Sequence, residues 1–460
     1  MTAVATPPRP APTSVPEALI EEARQRQRRR RLLSSLALGV MLVAGASTYL
    51  LVDRSDDSGR TRAPAAAPIA AGCPPAPAPH FGSLGAVAYV HGRTLRVVDL
   101  ASGQDRALAN VPPNAPVNWS ADGHWLTAGS TIVAAATGAS CVPFGRSASL
   151  TWFPNRDALI VGTKQGRYLV ASAGHRPRPL LPKAFSPAGP APVSPDGTKI
   201  AASGPLVIAS RKPPSLWISD IRTGRRFLLW SPRSWDVGPP VAARWSPDGR
   251  WVLFEADEQG SGSIAADGLP LLALPVEGPT VHVEPRVLTP PDFLQNCGPT
   301  ALVVSAGLDR YVSASKRVDL IAPPAWRPRN VSRDATRSWY AASCSPGGKL
   351  IAGTTTPNRD EGGFDFAERS IWLLSRDGAN RRLLVGSPGD RLSDEQLRWS
   401  RDGRWILYIE HRAHFDTSAR LYLIDVTTGA RRGPFGGISS GNGFYGYHDW
   451  NELAAWYQPR

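Results

Sequence analysis

Thiols and thioethers are scarce in this chain. Its 460 residues include four cysteines and two methionines, and no two cysteines form a CxxC pair. That spacing excludes zinc-ribbon and thioredoxin-like chemistry, which needs closely paired thiols. Charge is thin as well, at 20% of residues, and acids are the smaller share, 38 against 52 lysines and arginines. The net charge of +14 rests mainly on arginine. It fits attraction to acidic envelope polymers or anionic lipid head groups, and equally a coding bias that also enriches alanine, proline and glycine. Nucleic acid is not an expected partner, because no aromatic-basic module of the known kinds is present. What the chain has in quantity is glycine (43), proline (45) and tryptophan (15). The first two suit many short strands joined by turns.

An apolar run, Leu32 to Val52, carries no charge. As a helix it is about 31 Å long, enough for a hydrocarbon core of roughly 30 Å. Arg24, Arg26 and Arg28 to Arg31 precede it, and Asp53, Asp56 and Asp57 follow it among arginines. The positive-inside rule then predicts a basic cytoplasmic tail (1–31), a transmembrane helix (32–52), a Pro/Ala-rich linker (53–80) and a folded part (81–460) outside the cytoplasm. A cleaved signal peptide is the rival reading, since Ala44-Gly45-Ala46 resembles a cleavage site. Apolar sequence continues through Leu50, Leu51 and Val52, which favours a single-pass anchor in the cell membrane.

Beyond residue 80 one phrase recurs. Its clearest copies are Arg244-Trp245-Ser246-Pro247-Asp248-Gly249 and Arg398-Trp399-Ser400-Arg401-Asp402-Gly403. Others run through Trp119 to Asp122-Gly123, Ser194 to Asp196-Gly197, and Cys344 to Gly348. Degenerate copies fall at Trp152, Cys297 and Asp449-Trp450-Asn451. Proline presets the first turn dihedral, aspartate bonds back to turn amides and glycine takes the left-handed angle, so the phrase reads as a hairpin. The apolar run after it, such as Trp251 to Phe254, reads as a strand buried on both faces. A second phrase, an apolar strand, aspartate and glycine, ends at Asp99 and Gly103, Asp220 and Gly224, and Asp425 and Gly429, with a variant at Asp377 and Gly378.

Each unit supplies four strands in roughly 35–55 residues, the period of a propeller blade. Unit starts fall near 84, 117, 150, 191, 243, 294, 342 and 397. The first unit lacks its inner half, and Phe444 to Tyr457 looks like an inner half without an outer one; joining them would close a ring. The expected fold is all-β: a β-propeller of eight blades, or seven if a degenerate unit is an insertion, behind one N-terminal transmembrane helix.

These phrases resemble the WD40-like propeller repeats of the TolB family, which also occur in prolyl-oligopeptidase-type peptidases. The resemblance covers essentially all of residues 81–460. It implies a propeller that binds envelope partners, although the small domain that precedes the TolB propeller has no counterpart here and a membrane helix stands instead. The peptidase comparison implies a hydrolase domain, for which the repeats leave no room.

Chemistry-bearing patterns are few. Gly437-Ile438-Ser439-Ser440-Gly441 spells GxSxG, but a nucleophile elbow needs a following helix and a downstream acid and histidine; a glycine-rich loop between blades is expected. His411 and His414, with Glu410 and Asp416 nearby, suit no standard metal spacing and read as a solvated hairpin tip. Asp360, Glu361, Asp365 and Glu368 form an acidic loop without EF-hand spacing. The aspartates Asp122, Asp196, Asp248 and Asp402, with Gly123, Gly197, Gly249, Gly348 and Gly403, are read as turn residues. Cys297 and Cys344 replace the tryptophan in neighbouring units, which suggests a Cys297–Cys344 disulfide and leaves Cys73 with Cys141; spacing alone leaves all three pairings open.

The function expected is a membrane-anchored, extracytoplasmic, TolB-like β-propeller acting as a protein- or ligand-binding module of the cell envelope. Its partners would be envelope proteins or acidic envelope polymers, with no cofactor, metal or catalytic residues. The alternative is a propeller enzyme, a lyase or lactonase-like hydrolase, with its site in the central funnel. His, Asp or Glu converging on the axis would favour the enzyme; small, hydroxyl and scattered basic groups would favour binding.

Overall fold

The computed structural model describes Cys73 and residues 76–459, except 157, 164–165, 172–177, 182–191, 205–214, 232–240, 256–268, 277–281, 288–293, 307–315, 359–368, 387–391, 413–416 and 440–449. The predicted tail, the transmembrane helix and most of the linker lie outside these residues. So do the acidic loop, His414, Asp416, Ser440 and Phe444 to Asp449. Among the described residues no helix is long and apolar enough to cross a membrane.

The described strands form eight consecutive antiparallel units. Blade two shows the plan, with Val117–Trp119, Trp125–Ala128, Thr131–Ala134 and Ser140–Cys141 paired in chain order. Blades three, seven and eight repeat it, starting at Ser149–Trp152, Arg337–Cys344 and Leu392–Trp399. Blade four has three strands from Lys199–Gly204 onward, with a single bridge from Val193 to Ile200 at its inner edge. Blades five and six begin at Val241–Trp245 and Leu294–Cys297 and touch through one bridge, Val287 to Ala306.

Blade one is composite. Its strands Ala86–His91, Thr94–Asp99 and Asp105–Asn110 receive an inner strand, Ala454–Tyr457, from the other end of the chain. The two half-units complete each other as their sequences implied. Register makes one correction: Trp456, opposite Val87, holds the place that Trp399, opposite Ile406, holds in blade eight. Trp450 instead opens the four-residue helix Trp450–Leu453.

The core lies between blades, in eight apolar clusters. The second strand of blade one shows why. Val87 and Tyr89 pack toward blade eight with Leu407 and Leu421, while Ala86, Ala88 and Val90 pack toward blade two with Val117 and Leu126. Alternate residues of a strand point to opposite faces, so a blade wedged between two others needs apolar residues at every position. That is the source of runs such as Val252-Leu253-Phe254, all fully buried. Each such side chain contributes about 1.5–3 kcal/mol. Clusters of this kind join every neighbouring pair and carry the ring from blade eight back to blade one. The architecture is a β-propeller.

Candidate functional site

The repeated phrase is a wired hairpin. In blade eight the Ser400 amide donates to Trp405 O (2.8 Å), and Ser400 Oγ accepts from the Trp405 amide (2.8 Å). The Ser400 hydroxyl donates to Asp402 Oδ1 (2.5 Å), which also accepts from the Arg404 amide (3.0 Å). The same network surrounds Asp122, Asp196 and Asp248. Gly123, Gly197, Gly249, Gly348 and Gly403 all have φ between 66° and 76°. The Ser400 hydroxyl holds the Asp402 carboxyl below the usual carboxylate range. At Asp196 burial pulls upward, but bonds from Ser194 and Thr198 outweigh it and bring the group to about 2. Each of these carboxyls bonds the serine and a backbone amide of its own turn, which spends it on the fold.

The tryptophan has a separate task. Trp119, Trp245 and Trp399 each donate their indole N–H, at 2.9 Å, to a carbonyl of the preceding blade's inner segment: Ala455, Pro192 and Ser343. The acceptor is in each case the residue just before the repeat tryptophan position. This fixes the inner strands around an axis. In blades six and seven cysteine holds the tryptophan position, and Cys297 and Cys344 are bonded to each other. The other disulfide joins Cys73 to Cys141.

The inner strands enclose a cavity of about 670 Å³. Its wall takes Asn118 and Thr151 from blades two and three, Gln295 from blade six, Ala341 to Cys344 from blade seven, Gln396 to Trp399 from blade eight, and Glu452 from the helix of the closing segment. Amide, hydroxyl and small side chains predominate, with one guanidinium and one carboxylate. Arg398 donates to Ala454 O (2.6 Å), and Arg244, at the equivalent position of blade five, donates to Asn296 Oδ1 (3.2 Å).

Two wall residues have left-handed backbones, Ala341 (φ 39°) and Gln396 (φ 63°). Each stands three positions before the repeat tryptophan position, where the inner strand slips register against its neighbour. Such a bulge turns the backbone, at about 1–2 kcal/mol for a residue with a Cβ. Blade five slips at the same place, between Ala242 and Arg244. Strain of this kind gathers at ligand sites. Sequence reasoning missed the cavity residues as a set. The available signal was the position before the tryptophan, where Asn118, Thr151, Arg244, Asn296, Ser343 and Arg398 are all polar.

A second cavity, of about 1020 Å³, lies at the turns of blades four to six, against Asp196, Lys199, Arg250, Trp251, Thr300 and the cis-linked Pro323-Pro324. The remaining sequence candidates fall elsewhere. His411, expected at a solvated tip, is buried in the strand Trp405–Arg412, with Nδ1 2.8 Å from Arg412 O and its ring 5.8 Å from Trp450. Apolar cover from the closing segment explains the difference. Glu410 pairs with Arg431 (2.8 Å), whose guanidinium lies 3.5 Å from the Tyr422 ring centre. Gly437–Ser439, expected as a loop, is a strand paired with Ser418–Asp425, and the Ser439 hydroxyl accepts from the Gly92 amide. Among the described residues no three His, Cys, Asp or Glu side chains converge as metal ligands would.

No protein-family profile matches the chain, and no curated protein does. Solved structures do match. One described as the eukaryotic initiation factor aligns with 84% of this chain and 91% of its own, at 14% identity and a TM-score of 0.51. Putative TolB from Agrobacterium tumefaciens aligns with 81% of this chain and 97% of its own, at 13% identity and a TM-score of 0.35. An oligogalacturonate lyase in complex with manganese aligns with 52% of this chain, at 15% identity and a TM-score of 0.34, and the chain spans 62% of that protein's length. At such identities the likeness concerns fold alone.

Proposed function

We propose that the protein is a non-enzymatic binding module: an eight-bladed propeller tethered by residues 32–52 to the outer face of the cytoplasmic membrane, with residues 1–31 inside. Its ligand would be an envelope protein segment or an acidic envelope polymer, received at the axial cavity. The lining of that cavity carries the reading. Asn118, Thr151, Gln295, Ser343 and Gln396 line it, and amides and hydroxyls are donors and acceptors suited to recognition by hydrogen bonds rather than to proton transfer near neutral pH. The strained backbone at Ala341 and Gln396 supports it further.

The test is capture from solubilised envelope by the full-length chain. The wild type should enrich a defined partner or polymer. Thr151→Trp, which fills the cavity, should lose it, while Leu228→Ser on an exposed outer strand should retain it. If nothing is enriched and a metal co-purifies stoichiometrically, a propeller enzyme replaces the binding module as the better reading.

A further inference from the structure

Between blades six and seven the chain uses a disulfide where three other junctions use an indole hydrogen bond. Its two sulfurs have unlike surroundings. Cys344 lines the axial cavity, whereas Cys297 is fully buried behind it. Arg376, from the turn after the strand Ser370–Ser375, reaches the buried side. Its Nη1 donates to Cys297 O (2.9 Å) and Gly348 O (3.1 Å) and lies 3.7 Å from Cys297 Sγ.

A guanidinium beside a sulfur favours its thiolate form. In thiol–disulfide exchange the sulfur with the more stable thiolate leaves faster. The two halves of this bond are therefore unequal: one faces a cavity, and the other has a guanidinium beside it.

We propose that Cys297–Cys344 is a thiol-exchange site. A small external thiolate entering the axial cavity attacks Cys344 Sγ and forms a mixed disulfide there. The Cys297–Cys344 bond breaks, and its electron pair stays on Cys297 as a thiolate held by Arg376. A second external thiol can then release Cys344, so two thiols become one external disulfide and the protein gains two thiols. The plain alternative is an inert staple that replaces the missing indole bond.

The second disulfide separates these readings. Cys73 is half-buried and Cys141 about as enclosed as Cys344, so exposure alone would open Cys73–Cys141 first. The full-length chain is treated with reduced glutathione, quenched by alkylation and mapped by peptide mass spectrometry. The proposal expects glutathione on Cys344, alkylated Cys297, and Cys73–Cys141 still closed. Arg376→Leu should slow opening on the order of tenfold, because the leaving thiolate loses the cation beside it; Arg376→Lys should restore part of it. The Cys73–Cys141 rate in each variant controls for altered folding. Cys73–Cys141 opening first, an adduct on Cys297, or an Arg376→Leu rate equal to wild type would each overturn the proposal.

Discussion

At the scale of the single residue, Glu255 breaks the repeat pattern most sharply. It stands four residues after Trp251, where blade eight has buried Ile409 four residues after Trp405. Burial pushes its carboxyl up to about 8 from the usual 4.5. The folded state therefore prefers the protonated form. The stability this provides is fully present below about pH 4.5 and is lost as pH rises through about 8. At about 1.36 kcal/mol per unit, this titration spans on the order of 5 kcal/mol. Chemical denaturation at pH 5 and pH 8.5 should show that decline in the wild type. Glu255→Gln should remove most of it and be the more stable protein at pH 8.5. Equal pH slopes would show that the carboxyl is ionised in the fold.

At the scale of the element, the hairpin turn is the unit of design, and its glycines separate conformation from packing. Gly123 and Gly403 have nearly the same φ, 76° and 70°. A Cβ at Gly403 would meet nothing nearer than Pro346 at 3.7 Å, while one at Gly123 would fall 2.3 Å from the Tyr457 ring. Gly403→Ala should cost about 1–2 kcal/mol, the left-handed penalty alone. Gly123→Ala should cost clearly more, because Tyr457 must leave its place between Phe81 and Trp119 and its bond to Asp122 O. Thermal melts of the two variants give the comparison; equal shifts would mean that Tyr457 moves freely. These turns were legible because their requirements are local: Ser, Asp and Gly sit within six residues and need no distant partner. The variant at Ser375-Arg376-Asp377-Gly378 forms the same network, yet in the sequence it falls with the second phrase, because it occupies a later hairpin of its blade. Ala341 and Gln396 carried no such signal. Neither is glycine, and their left-handed angles come from the register slip against the next strand.

At the scale of the whole molecule, a ring depends on the junction that closes it, and here that junction joins the two ends of the described fold. Periodicity announced this closure, since a repeat that begins with an outer half and ends with an inner half has one economical solution. It could not announce the cavity, which gathers residues from 116 to 452 through tertiary placement. The closing strand Ala454–Tyr457 pairs with Ala86–His91, accepts the Trp119 indole at Ala455 O and the Arg398 guanidinium at Ala454 O, and sends Gln458 to Trp399 O (3.1 Å). Deleting residues 454–460 removes all of these together and exposes the Ala86–His91 edge, which is apolar on both faces. The remaining blades keep their own interfaces, so secondary structure should persist while the melting temperature falls. The freed edge should pair with a second chain, as unprotected edges do, giving self-association that grows with concentration in sedimentation or light scattering. Ala455→Pro should reproduce part of this, because proline cannot donate to the ladder. A truncated chain that stayed monomeric with an unchanged melting temperature would show that the blade-eight contacts of Gly437–Ser439 suffice to hold the ring.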